Sequence, residues 1–139
     1  MDASYLQSLL GYNARRVSLK AIELFSQRMA AYGLGPVDFS ILSLIGRNPG
    51  ITSRQLCGTL SLLPPNLVGK ITQMEKRDLL LRQPHPEDGR AIGLHLTAAG
   101  SELMQRAEGT ATALEADVSQ KLSPTEAKTL LALLQKVYL

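Results

Sequence analysis

Tryptophan is absent from the 139 residues, phenylalanine occurs twice and cysteine once. With so few aromatics, any core must be aliphatic, built from Leu, Ile, Val, Met and Ala. A lone thiol, Cys57, excludes an intrachain disulfide framework and fits a reducing compartment. No run approaches the roughly 18 apolar residues that span a bilayer. The opening stretch "MDASYLQSLLGYNARR" lacks the basic start and continuous apolar core of a signal peptide, so a soluble, cytoplasmic protein is expected. There is no Gly-rich phosphate loop and no nucleophile–His pairing with a supporting carboxylate. His85, Glu87 and Asp88 crowd into four residues of a turn and make a poor ligand set. Neither an enzyme nor a metal or cofactor protein is expected.

What is present is helical and unevenly charged. The net charge is only +3, but its distribution is informative. Residues 52–97 carry Arg54, Lys70, Lys76, Arg77, Arg82 and Arg90 against four acidic side chains, whereas residues 98–139 are slightly acidic. A polyanion would meet the middle of the chain.

Residues 4–32 read as one long helix, with Leu6, Leu10, Val17, Ala21 and Leu24 at three- and four-residue steps and "YGLGP" as its stop. Pro36 opens a second helix to Arg47, with Val37, Ile41, Leu44 and Ile45 inward. "NPG" at 48–50 is a turn. A short helix over 52–60 follows, capped by Thr52 or Ser53. After "SLLPP" another covers 65–79, with Val68, Ile71, Met74 (or Glu75) and Leu79 on its inner side. In "LLRQP-HPEDGR-AIGLHLT" the period changes to alternation around a turn-rich tip, the pattern of a β-hairpin. A long helix from 98 to about 121 precedes a last one, where Ser123 and Glu126 form a capping box and Pro124 takes the first position. Apolar residues surround most of this final helix, which predicts burial on more than one side.

Two helices joined by a tight turn and followed by a hairpin with a basic tip describe a winged helix-turn-helix, whose second helix enters the major groove of double-stranded DNA. The segment 62–80, "LLPPNLVGKITQMEKRDLL", then makes sense as a helix whose first turns are not built for burial. Pro64 and Pro65 fix its entry and remove donors that would be left unpaired. Asn66 suits an adenine edge, Gly69 permits close approach, and Lys70 reaches phosphate or guanine. Gln73 and Arg77 continue the candidate contact set. A plain helix start and a solvated lysine are the bland alternatives.

The tip carries more. "RQPHPEDGRAIGLHLTAAG" resembles the wing of the multiple-antibiotic-resistance regulator (MarR) family, with Arg82, Pro86, Asp88, Arg90, Leu96, Thr97 and Gly100 in register. The likeness continues upstream through "ITSRQLCGTLSLLPPNLVGKITQMEKRDLL". It implies a homodimeric DNA-binding regulator, usually a repressor released by a small, often aromatic ligand. By that likeness Arg90 enters the minor groove and Asp88 orients the wing through ion pairing. Three positions depart from the family pattern: Asp78 replaces a preferred Gly, Gly89 a common second Arg, and Gly69 a basic or polar residue.

The fold class expected is therefore mainly α with a small β-hairpin wing, in a single domain of residues 1–139. Residues 33–97 form the winged helix-turn-helix, and 1–32 with 98–139 form a dimerisation region. Leu6, Leu10, Leu130, Leu134, Val137 and Tyr138 are the candidate dimer contacts. The ligand residues are unknown, although Arg15, Arg16 or Arg28 could meet a carboxylate. Cys57, beside Leu56, is expected to be a structural thiol rather than a redox sensor. Two rivals share the fold: a protein-interaction module, in which Arg90→Ala would be silent, and a DNA-binding protein that needs no effector.

Overall fold

The computed structural model describes all residues, Met1–Leu139. Seven α-helices and three short strands follow one another as α1 (Ser4–Gln7), α2 (Leu10–Met29), a 3-10 turn (Ala30–Tyr32), α3 (Pro36–Arg47), β1 (Ile51–Thr52), α4 (Ser53–Leu60), α5 (Pro64–Lys76), β2 (Leu80–Pro84), β3 (Ile92–Leu96), α6 (Ala98–Val118) and α7 (Pro124–Tyr138). The first helix is thus not continuous. Its break lies at Ser8–Leu9, where Leu9 is extended (φ −95°, ψ 128°) and the Ser8 hydroxyl is turned back onto the Tyr5 carbonyl. A serine that bonds its own preceding turn competes with helix propagation.

The hairpin is β2 against β3, antiparallel, with Leu80 opposite Leu96 and Pro84 opposite Ile92. Its third member, β1, is a two-residue strand that the sequence pattern did not reveal, and it pairs with β3 to give the order β1-β3-β2. This strand explains Gly93. Any Cβ there would stand 3.0 Å from the Cα and carbonyl oxygen of Gly50, so only glycine lets the two backbones approach.

The core is wholly apolar and contains no buried polar or charged side chain. Met29, Ile41, Leu42, Ile45 and Leu56 are fully buried and join Leu67, Ile71, Met74, Leu94, Met104 and Ala107 in one cluster. On α3, Val37 stays exposed and Leu42 is buried instead. On α5, Leu67 is buried and Val68 is 59% exposed, which reverses the expected assignment. Steps of four and three from Leu67 to Ile71 and Met74 are as helical as those from Val68, and the neighbours decide between them. α6 enters the core beside the sheet. A Cβ on Gly100 would collide with the Leu79 carbonyl oxygen, which makes glycine obligatory at that crossing.

The ends of the chain behave differently. Neither α1 nor α7 contains a buried residue. The expectation that α7 is covered on more than one side is therefore not met within one protomer. Its total accessible surface is 9726 Å², whereas a compact monomer of this mass should expose about 7,100 Å². No single helix is long and apolar enough to cross a membrane.

Candidate nucleic-acid interface

α4 begins as the sequence requires. Thr52 Oγ1 accepts the Gln55 N–H at 3.3 Å, and Gln55 Oε1 accepts the Thr52 N–H at 2.9 Å, so the capping box is closed. The helix stops at Ser61, which adopts a left-handed φ of 52°. The N–H of Leu62 then reaches back to the Cys57 carbonyl at 3.1 Å, the bond that ends many helices in a tight turn. Two residues on, Leu63 is extended and Pro64 and Pro65 take the first two helical positions of α5. Their missing N–H groups are ones the helix could not have paired internally. Cys57 is half-buried against the core.

Leu67, Ile71 and Met74 fix which face of α5 looks outward. Pro64, Pro65, Asn66, Gly69 and Gln73 are all exposed on it, joined by Val68 and Thr72. A Cβ on Gly69 would meet nothing within 4 Å, so that part of the face is open space. Val68 is an exposed methyl-bearing side chain on this face, suited to a thymine methyl group. It was hidden from sequence reasoning by the alternative inward register.

α5 ends at Arg77, and Asp78 is left-handed at φ 57°. The N–H of Leu79 bonds to the Met74 carbonyl at 3.0 Å, which closes the turn. Glycine is favoured at such a position because it carries no Cβ. The departure at residue 78 is thus a real backbone feature, and its carbonyl is held by the Thr97 hydroxyl.

At the wing tip the N–H of His85 bonds to the Ala91 carbonyl at 2.9 Å. Asp88 Oδ1 accepts the Arg90 N–H at 3.0 Å. Asp88 therefore orders the tip through a backbone hydrogen bond, and the ion pair expected of it does not form. The Arg90 side chain is exposed and has no acidic partner.

Several other cations are engaged. Arg82 pairs with Glu75, Arg28 with Asp117 of α6, and Arg47 with Glu108 at 3.0 Å. Lys70 lies 2.9 Å from Asp38, and Arg77 donates to the carbonyls of Gly33 and Tyr32. Lys70 and Arg77, expected at DNA, are thus turned toward α3 and the 3-10 turn before it. Of the basic residues in the middle segment, Arg54, Lys76 and Arg90 keep unpaired charges. Arg54 was not singled out from sequence. It lines the cleft between the start of α4 and the wing, together with Arg82, His85 and Asp88.

The candidate dimer residues Leu6, Leu10, Leu130, Val137 and Tyr138 are exposed, and Leu134 is partly so. Tyr5 and Leu9 near the N-terminus and Leu131 and Leu133 on α7 are also exposed. Arg15 and Arg16 are exposed on α2 without acidic partners, whereas Arg28 is committed to Asp117.

Known proteins resemble the chain in sequence and in fold. The MarR family profile matches residues 34–92. A protein described as transcriptional regulatory for the hcr operon of Thauera aromatica is 29% identical over 130 residues, 93% of this chain and 78% of its own. The transcriptional repressor CouR, solved bound to a 23-mer DNA duplex, superposes with a TM-score of 0.91 at 33% identity, over 99% of this chain and 97% of that one. CouR bound to p-coumaroyl-CoA superposes with a TM-score of 0.85 at 31% identity, over 99% and 96% of the two chains. With the winged helix-turn-helix, the Asp88–Arg90 tip and this likeness over nearly its full length, the chain belongs to the MarR family of transcription regulators.

Proposed function

We propose that two copies of this chain pair through α1, α2 and α7 and repress transcription from an inverted-repeat operator until a small aromatic ligand releases them. The observation that carries this reading is the open outward face of α5 beside a wing whose Arg90 is unpaired. A protein core supplies no partner for that face; a duplex does. Asn66 and Gln73 suit adenine edges, and Gly69 lets the backbone come close. Pro64 and Pro65 set the approach, and Arg90, steadied by Asp88, suits the negative potential of a narrow minor groove. Residues 33–97 do the reading, while 1–32 and 98–139 supply the twofold contact. The site of action is the cytoplasm, where the chromosome lies.

The dimer is supported by the surplus of apolar surface on the terminal helices. It places two reading helices about one turn of DNA apart, roughly 34–36 Å. For the ligand, CouR bound to p-coumaroyl-CoA favours the CoA thioester of a hydroxylated aromatic acid. Arg15 and Arg16, exposed on α2 without acidic partners, offer charge for its phosphates.

Selection of bound sequences from random duplex DNA tests the reading. It should enrich an inverted repeat with half-sites one turn apart, and p-coumaroyl-CoA should lower affinity for the enriched duplex. Retention that collapses steeply with salt, without enrichment, would leave only phosphate binding. No retention at all would favour a protein-interaction module.

A further inference from the structure

Lys70 and Arg77 lie seven residues, two turns, apart on one edge of α5, between its buried stripe and its open face. Both charges end on the same short elbow, residues 32–38, where α2 gives way to α3. Lys70 Nζ is 2.9 Å from Asp38 Oδ1, while Asp38 Oδ2 accepts the N–H of Gly35 at 3.0 Å. One carboxylate thus ties the start of α3 to the middle of α5. Arg77 donates to the Gly33 carbonyl at 2.8 Å and the Tyr32 carbonyl at 2.7 Å. Gly33 is left-handed, and a Cβ there would stand 3.2 Å from the Arg77 guanidinium, so the elbow is shaped around that side chain. Tyr32 is itself held from the far side. Its hydroxyl lies 2.8 Å from Thr110 Oγ1, and Arg106 sits 6.0 Å from its ring centroid.

We infer that Lys70, Arg77 and Asp38 are positioning residues that hold the reading helix against this elbow, and that neither cation is a phosphate contact. The inference rests on the DNA-reading role proposed above. An exposed ion pair would carry little weight, but the Asp38 side chain is only 17% exposed and its orientation is fixed by the Gly35 bond. For Lys70 to reach a phosphate it would have to leave that carboxylate behind, partly buried and without its cation. Arg77 would have to abandon two carbonyls that it alone satisfies from α5.

The test uses the full-length chain with Asp38→Asn, Lys70→Met and Lys70→Arg. Hydrogen exchange of the α5 amides is read first, in the free protein. Affinity for the selected operator and for random duplex follows across a salt series. Asp38→Asn and Lys70→Met should speed exchange along α5 several-fold. They should weaken operator binding about tenfold, yet leave random-duplex affinity and the salt slope unchanged, since phosphate contacts act on all sequences alike. Lys70→Arg should behave as the parent chain. A salt slope reduced by about 0.9 per contact in Lys70→Met would make Lys70 a phosphate ligand and overturn the inference. Tighter binding by Asp38→Asn would do the same, since it would mean that Asp38 restrains a DNA contact. Unchanged exchange in Asp38→Asn would also overturn it. That outcome needs no DNA, so it is distinct from a failure of the parent chain to bind any duplex.

Discussion

α5 and α7 begin alike and end up in opposite circumstances. Each opens with proline in its first positions and runs for three to four turns, as Pro64–Lys76 and Pro124–Tyr138. α5 carries three apolar residues inward, Leu67, Ile71 and Met74, and leaves to solvent a mixed face that includes Asn66, Val68, Thr72 and Gln73. α7 carries Leu130, Leu131, Leu133, Leu134 and Val137, more apolar residues than α5 turns inward, and none of them is fully buried. Apolar content therefore does not decide burial; neighbours do. α5 is finished as a protein helix and lacks only a polar partner, whereas α7 still lacks a hydrophobic one.

That contrast can be broken from either side. The largest expected effect is on α5. Ile71→Ala removes a side chain that is 1% exposed, and should cost about 2–5 kcal/mol by urea unfolding. A loss under 1 kcal/mol would mean that α5 is not anchored in the core as described. On α7, Leu133 and Val137 are 55% and 65% exposed. Leu133→Glu with Val137→Glu should leave the winged part folded while raising the dimer dissociation constant about a hundredfold, roughly 3 kcal/mol. Sedimentation would show the mass fall to that of one chain. An unchanged mass would place the twofold contact elsewhere.

A smaller effect sharpens the description of how α5 ends. Asp78 holds a left-handed backbone, so Asp78→Gly should raise stability by about 1 kcal/mol or less. The urea midpoint would move up, and a drop would reveal an unrecognised role for the carboxylate. The smallest effect concerns the start of α7. The Ser123 N–H donates to Glu126 at 2.9 Å, and this bond holds the Glu126 carboxyl below the usual carboxylate range. Because the folded value is the lower one, the contribution is fully present above the ordinary glutamate value and fades as pH falls through the depressed one. A slight loss of helical ellipticity should appear in acid, and Glu126→Gln, which leaves no carboxyl to titrate, should remove its pH dependence.

Much of this architecture was legible because it is written locally. Pro36 and Pro124, the Ser123 cap and the hairpin alternation each act within a few residues, and each is where the pattern placed it; Thr52 is one of the two caps the pattern allowed, and α5 spans Pro64–Lys76 where 65–79 was expected. The misreadings have a common cause, which is that contacts between distant segments leave no local trace. β1 is two residues long and exists only because β3 lies beside it. Leu67 and Val68 are equally good inward residues until the rest of the core chooses. Lys70 and Arg77 look like free cations on a reading helix, and only the folded chain brings Asp38 and the Tyr32–Gly33 carbonyls up to them. The open face of α5 and the tip at Asp88–Arg90 could be read in advance, because a helix start built from Pro, Asn and Gly and a charged turn are both short-range statements.

The surplus of exposed surface on one protomer also has a meaning for the cell. If two copies pair as proposed, the stability of each depends on how much of the chain has been made. At low abundance the single chains would be the poorer substrate for folding and the better one for proteases. Occupancy of a twofold operator would then rise more steeply than in proportion to expression, so that gene dosage itself becomes part of the control.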